Sequence, residues 1–109
     1  MPTTYKVLAQ SAPSATTATD LYTVGSGKST VVSTLVVANR AGSPAQYRIA
    51  VRVAGATLAN SQYVAYDVTV GASDSTTLTL GITLAATDVI TVYASTANLT
   101  FSVFGSEIS

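Results

Sequence analysis

Along most of this chain apolar and polar residues alternate one by one, the period of a half-buried β-strand rather than of a helix. Gln46–Val53 places Tyr47, Ile49, Val51 and Val53 on one face and Gln46, Arg48, Ala50 and Arg52 on the other. Gln62–Val70 repeats the pattern, with Val64, Tyr66, Val68 and Val70 expected inward and Tyr63, Ala65, Asp67 and Thr69 outward. Thr76–Leu84 carries Leu78, Leu80, Ile82 and Leu84 on its apolar face. Near the end, Leu99, Phe101 and Val103 alternate with Thr100, Ser102 and Phe104. Thr30–Ala38 and Asp88–Ala94 are apolar on parts of both faces, which places them inside a sheet or beneath a partner. The shorter runs Tyr5–Gln10 and Asp20–Val24 read as edge strands.

Turn residues separate these runs: Gly25–Gly27, Ala41–Pro44, Ala54–Gly55, Gly71–Asp74 and Ala85–Asp88. Helix is expected at most as a single turn near Thr57–Ser61. About eight short antiparallel strands, with turns at this spacing, predict an all-β fold: one β-sandwich of jelly-roll or immunoglobulin-like topology. The chain is expected to form a single domain over residues 1–109. Ser11–Thr19, rich in Ser, Thr and Ala, is then either a loop between the first two strands or an arm laid along a neighbour.

Composition narrows the chemistry. The 109 residues include no histidine, cysteine or tryptophan, so the usual reagents of proton transfer, nucleophilic attack and metal binding are largely missing. Charged residues make up 9% of the chain, against about 25% in ordinary soluble domains, and the formal net charge is zero. A surface so weakly charged is poorly protected from association, which predicts coverage by other subunits. Lys6, Lys28, Arg40, Arg48 and Arg52 are too dispersed for a phosphate-binding patch, so nucleic acid is not expected. No run has the length or apolarity of a membrane span, and Met1–Lys6 has no secretory-signal pattern.

Two motifs fail on inspection. Gly25–Thr30 ends like a phosphate-binding loop, but Tyr22 stands where the first glycine belongs, and a β-branched strand follows instead of a helix. A hairpin turn is expected there. Asp20, Asp67, Asp74, Asp88 and Glu107 are isolated, and Asp20, Asp74 and Asp88 sit where aspartate commonly bonds its own backbone. No catalytic residue, cofactor or metal is expected.

Contacts between subunits are the better expectation. Arg48 and Arg52 share a strand face, with Arg40 in the preceding turn, and Asp67 is a partner for them on an adjacent strand or another chain. Tyr5 and Val7 near the start and Phe101 and Phe104 near the end belong to Tyr5–Gln10 and Leu99–Ile108, both expected to be sheet edges open to pairing. Tyr63, Tyr66 and Tyr93 form an alternative, aromatic, sugar-binding surface.

Several phrases resemble small structural proteins of tailed bacteriophages: Asp20–Val24, Ser29–Arg40, Tyr47–Arg52, Ala65–Val68, Leu84–Ala94 and Phe104–Ile108. The resemblance covers nearly the whole chain from Leu21 onward. It implies a β-sandwich accessory protein of a virion, assembled in the bacterial host cytoplasm. The combined expectation is a noncatalytic structural component that docks in multiple copies by strand-edge and apolar contacts. Capsid decoration is preferred over a tail, baseplate or fibre role, because a small domain with little charge suits shell coating. The expected partners are copies of itself and a major capsid or tail protein. A glycan-binding adhesion module acting on a host glycan is the less favoured alternative.

Overall fold

The computed structural model describes residues 3–79 and 81–109. Leu80, expected on the apolar face of Thr76–Leu84, lies outside the described residues, as do Met1 and Pro2. The strands are β1 (Thr3–Ser11), β2 (Thr19–Thr23), β3 (Ser29–Asn39), β4 (Ala45–Arg52), β5 (Tyr63–Val70), β6 (Ser75–Leu78), β7 (Ile82–Leu84), β8 (Val89–Ala94) and β9 (Leu99–Ile108). Short 3-10 turns at Val53–Gly55 and Asn60–Gln62 interrupt the β4–β5 connection, the second overlapping the expected turn.

Every pairing is antiparallel, and the first half of the chain pairs with the second half in reverse order. β1 lies on β9, β2 on β8, β3 on both β6 and β7, and β4 on β5. Two further pairings, β3 with β9 and β4 with β8, roll this long ribbon into a sheet β1-β9-β3-β6, with β7 also on β3, and a sheet β2-β8-β4-β5. Leu78 lies opposite Leu35 and Ile82 opposite Val32, so β6 and β7 behave as one interrupted strand. The result is the jelly-roll arrangement of a β-sandwich. It is not the immunoglobulin one, where the first two strands pair within a sheet.

The sequence reasons for this layering are visible strand by strand. β3 and β8, apolar on both faces, lie inside their sheets, and β1 and β2 lie at edges, as expected. Between the sheets Val32, Leu35 and Val37 of β3 and Leu99, Phe101 and Val103 of β9 meet Tyr47 and Ile49 of β4 and Ile90 and Val92 of β8. Tyr47 and Phe101 touch edge to face across this layer, with centroids 6.4 Å apart and planes at 77°. Burying each large apolar side chain contributes about 1.5–3 kcal/mol. Asn39 closes one end: its amide donates to the carbonyls of Ser43, Val70 and Gly71 at 2.9–3.3 Å, and its Oδ1 accepts from the Ala41 N–H.

Four expectations need correction. β9 is not an edge; it runs between β1 and β3, and its polar alternate positions face outward rather than toward a free side. Phe101 is accordingly 0% exposed and presents nothing to a neighbouring subunit. Gly25–Gly27 turns the chain, with the Lys28 N–H on the Gly25 carbonyl at 3.2 Å, but it connects strands of different sheets and is no hairpin. In β5 only Val70 of the expected inward set is buried, while Val64, Tyr66 and Val68 are exposed. For Val64 and Tyr66 the cause is a break in register: Tyr47 pairs with Val68 but Ile49 with Ala65, so Tyr66 and Asp67 together face Arg48, with Asp67 at φ 51°. Aspartate tolerates that left-handed conformation better than a β-branched residue would.

β9 also shapes its neighbours. Register shifts occur between Val7 and Ala9 in β1 and between Val32 and Thr34 in β3, both beside the Val103–Gly105 stretch of β9. A bulge adds twist and redirects side chains. Leu8 here turns toward the core, while Ser33 stays exposed with its hydroxyl on the Phe104 carbonyl.

Candidate interaction surfaces

The broken register of β5 creates the most organised surface of the molecule, on the outer face of sheet β2-β8-β4-β5. Arg48 of β4 reaches the Asp67 carboxylate with Nε 2.6 Å from Oδ1. Its guanidinium carbon lies 4.2 Å from the ring centroids of both Tyr66 and Tyr93. Tyr63 then packs against Tyr66 edge to face, centroids 4.9 Å apart. The hydrogen bond to Asp67 raises the already high pKa of the guanidinium, so Arg48 is a fixed cation. Exposed cation–π contacts are worth about 0.5–1 kcal/mol each, and an exposed ion pair adds about 0–1 kcal/mol.

Arg52 continues the pattern four residues along β4. It donates to Thr91 Oγ1 and to Asp20 Oδ1, each at 3.0 Å, and to the carbonyls of Gly55 and Ala56. It thereby links β4, β8 and the edge strand β2, and holds the first 3-10 turn. Arg40 is elsewhere, in the β3–β4 connection, where it donates to the Ala97 carbonyl at 2.9 Å. The fold thus gathers Arg48, Arg52, Asp67, Tyr63, Tyr66 and Tyr93 on one face. The Arg48–Asp67 pair expected on adjacent strands forms within the chain.

The opposite outer face, on β1-β9-β3, is apolar where this one is charged. Register places Val7, Phe104 and Thr34 in one row, Tyr5, Ser106 and Val31 in the next, and Thr3, Ile108 and Ser29 in the third. Tyr5 is 84% exposed, Val7 50% and Val31 39%, while Phe104 and Ile108 are half-buried. Contiguous exposed apolar side chains mark contact surfaces more often than scattered ones do. Of the expected contact residues, Tyr5, Val7 and Phe104 lie together here.

A third group, between the sheets, escaped the sequence reading. The Tyr22 hydroxyl of β2 meets Thr30 Oγ1 of β3 at 2.8 Å and donates to Glu107 Oε2 of β9 at 2.6 Å. Lys6 of β1 pairs with Glu107 Oε1, also at 2.6 Å. Glu107 was legible only by carrying the Leu99–Phe101–Val103 alternation onward through Gly105, which puts it on the inward face. The hydrogen bonds from Lys6 and then Tyr22 hold its carboxyl below the usual range. Burial, reinforced by the Glu107 hydrogen bond, pushes the Tyr22 phenol up to about 12.

The sign of the linkage follows. A carboxyl depressed in the folded state stabilises it above its unfolded pKa, and that contribution disappears as pH falls through the folded value. Thermal melts of wild type and Glu107→Gln should therefore differ near neutrality and converge as the solution is acidified below about pH 4. A constant difference over that range would show that the carboxylate charge is not what holds β1.

The remaining carboxylates serve local structure. Asp88 accepts the N–H groups of Ala54 and Ala85 at 2.8 and 2.9 Å, and Asp74 accepts the Ser75 N–H at 2.8 Å. Among the described residues no three acidic, histidine or cysteine side chains gather as a metal site would require. A shallow depression of about 430 Å³ opens where β1 leaves β9, lined by Gln10, Ser11, Ala12, Thr100, Phe101 and Ser102, with no titratable group. Comparison with protein-family models, curated proteins and solved structures returns no match to this chain.

Proposed function

We propose that this chain is a noncatalytic structural component of a bacteriophage virion, docking in multiple copies, with capsid decoration preferred over a tail, baseplate or fibre position. The observation that carries the reading is the apolar outer face of Tyr5, Val7, Val31, Phe104 and Ile108, set beside the edge strand β1. A free monomer gains nothing from that face, whereas a subunit packed on a shell removes it from water. The low charge and the engagement of Asp74, Asp88 and Glu107 in structural hydrogen bonds support the same reading. The jelly roll does not choose the role, because the fold serves capsid and lectin domains alike.

Immunogold electron microscopy of intact virions tests the proposal. Gold spread over the head supports decoration, gold confined to the tail moves the subunit there, and particles without label overturn the virion role.

The convergence of Tyr63, Tyr66 and Tyr93 on one face favours a second reading, adhesion to a host glycan. Sugar recognition uses open aromatic faces, and Arg48 already covers one face of Tyr66 and one of Tyr93. That weighs toward the structural role. Glycan-array binding abolished by Tyr66→Ala would reverse the order.

A further inference from the structure

Sheet edges expose unpaired backbone N–H and C=O groups, and proteins blunt them with short strands, bulges, charges or proline. Three of the edges here are blunted. β2 is five residues long, has a register shift between Asp20 and Tyr22, and carries the Asp20 carboxylate. β5 is broken at Asp67. β6 and β7 share their edge as pieces of four and three residues.

β1 is different. Its first five residues, Thr3–Val7, run in unbroken register against Ile108–Phe104, and all five are exposed. The segment holds no proline, and its one charge, on Lys6, is engaged by Glu107 of its own sheet. Tyr5, at its centre, is the most exposed large apolar side chain of the described residues, at 84%.

We propose that this edge pairs with the same edge of a second copy of the chain, β1 antiparallel to β1 across a two-fold axis through Tyr5. The segment is its own complement in that register. Tyr5 faces Tyr5 of the second copy, Thr3 faces Val7, and Thr4 faces Lys6, so no like charges are opposed. Directly opposed aromatic side chains stabilise an antiparallel ladder, and Tyr5 would supply such a pair at the axis. A two-fold contact requires one patch to serve both sides, which antiparallel self-pairing satisfies. The two sheets then become one continuous sheet, and the Tyr5, Val7 and Phe104 strips of both copies join across the axis. The formal net charge of zero adds no long-range repulsion. This deepens the structural reading by naming a partner, and the pairing itself requires no virion.

Sedimentation equilibrium of the full chain tests it with a charge swap. Wild type is expected to dimerise. Tyr5→Lys and Tyr5→Glu, which oppose like charges at the axis, should each weaken the dimer at least about tenfold. An equimolar mixture of the two should dimerise again, which a folding defect would not allow. If a charged variant fails to fold, Tyr5→Cys replaces it: with no cysteine elsewhere in the chain, mild oxidation should yield a disulfide-linked dimer. A monomeric wild type, a dimer that survives both charged variants, or a mixture that stays monomeric would overturn the pairing. Particles without gold label alongside a charge-swappable dimer would overturn only the virion role.

Discussion

Gly105→Ala is expected to destabilise the fold by at least about 3 kcal/mol, the upper end of overpacking costs. Gly105 lies opposite Val32 on β3 and opposite Lys6 on β1, in the strand that both neighbours share. A Cβ at this position would run into the backbone carbonyl of Val31 and press on the Val32 Cα. A flexible side chain could swing aside, but here β3 itself must move away from β9. That would loosen the register shift at Ser33 and the ladder on either side of it. For a domain of this size the loss corresponds to a Tm lower by about 10 °C or more, read by circular dichroism or calorimetry. Gly42→Ala is the control: nothing lies within 4 Å of a Cβ there, so its Tm should hold. Equal behaviour of the two variants would remove the close approach of β3 and β9 as an explanation.

Phe101→Ala should cost about 3–5 kcal/mol, through lost burial and the cavity left behind. The side chain is fully buried and packs edge to face on Tyr47 across the two sheets, so its loss opens a gap that both sheets line. Phe104→Ala, three positions along the same strand but on the outer face, should lower Tm far less. The pair separates core from surface within one strand. Urea titrations of both variants read the difference as a shift of midpoint at unchanged slope. A Phe104 variant as damaged as the Phe101 variant would mean that the outer strip belongs to the fold and is not free for a partner.

The contrast between those phenylalanines shows where sequence reading succeeds and where it stops. Alternation correctly separated Leu99, Phe101 and Val103 from Thr100, Ser102 and Phe104 as two faces of a strand. It did not tell a central strand from an edge strand, because period two reports which face is buried and not what pairs on either side. β3 and β8 were legible as interior strands, since apolar residues on both faces have few other places to go. β5 misled because Asp67 adopts φ 51° and exchanges the faces of Val64 and Tyr66 with no glycine or proline to announce it. The Arg48–Asp67 pair was visible as a possibility of charge and strand position. That the same guanidinium also touches Tyr66 and Tyr93 depended on that unannounced bulge.

By itself the sequence determined an all-β sandwich, its turns, most of its inward residues and a chain poor in charge and in catalytic side chains. Those properties follow from local period and composition, which every residue reports independently of its distant neighbours. Only the tertiary structure decided the jelly-roll order and the central place of β9. It also brought Lys6, Tyr22, Thr30 and Glu107 together from three strands of one sheet and one of the other. Among the described residues it left the Thr3–Val7 stretch of β1 as the one edge segment of such length without a blunting device. Strand order is settled by which hydrogen-bonding edges meet after the chain has folded back on itself, and the side-chain alternation of a single strand is the same whichever neighbour it finds.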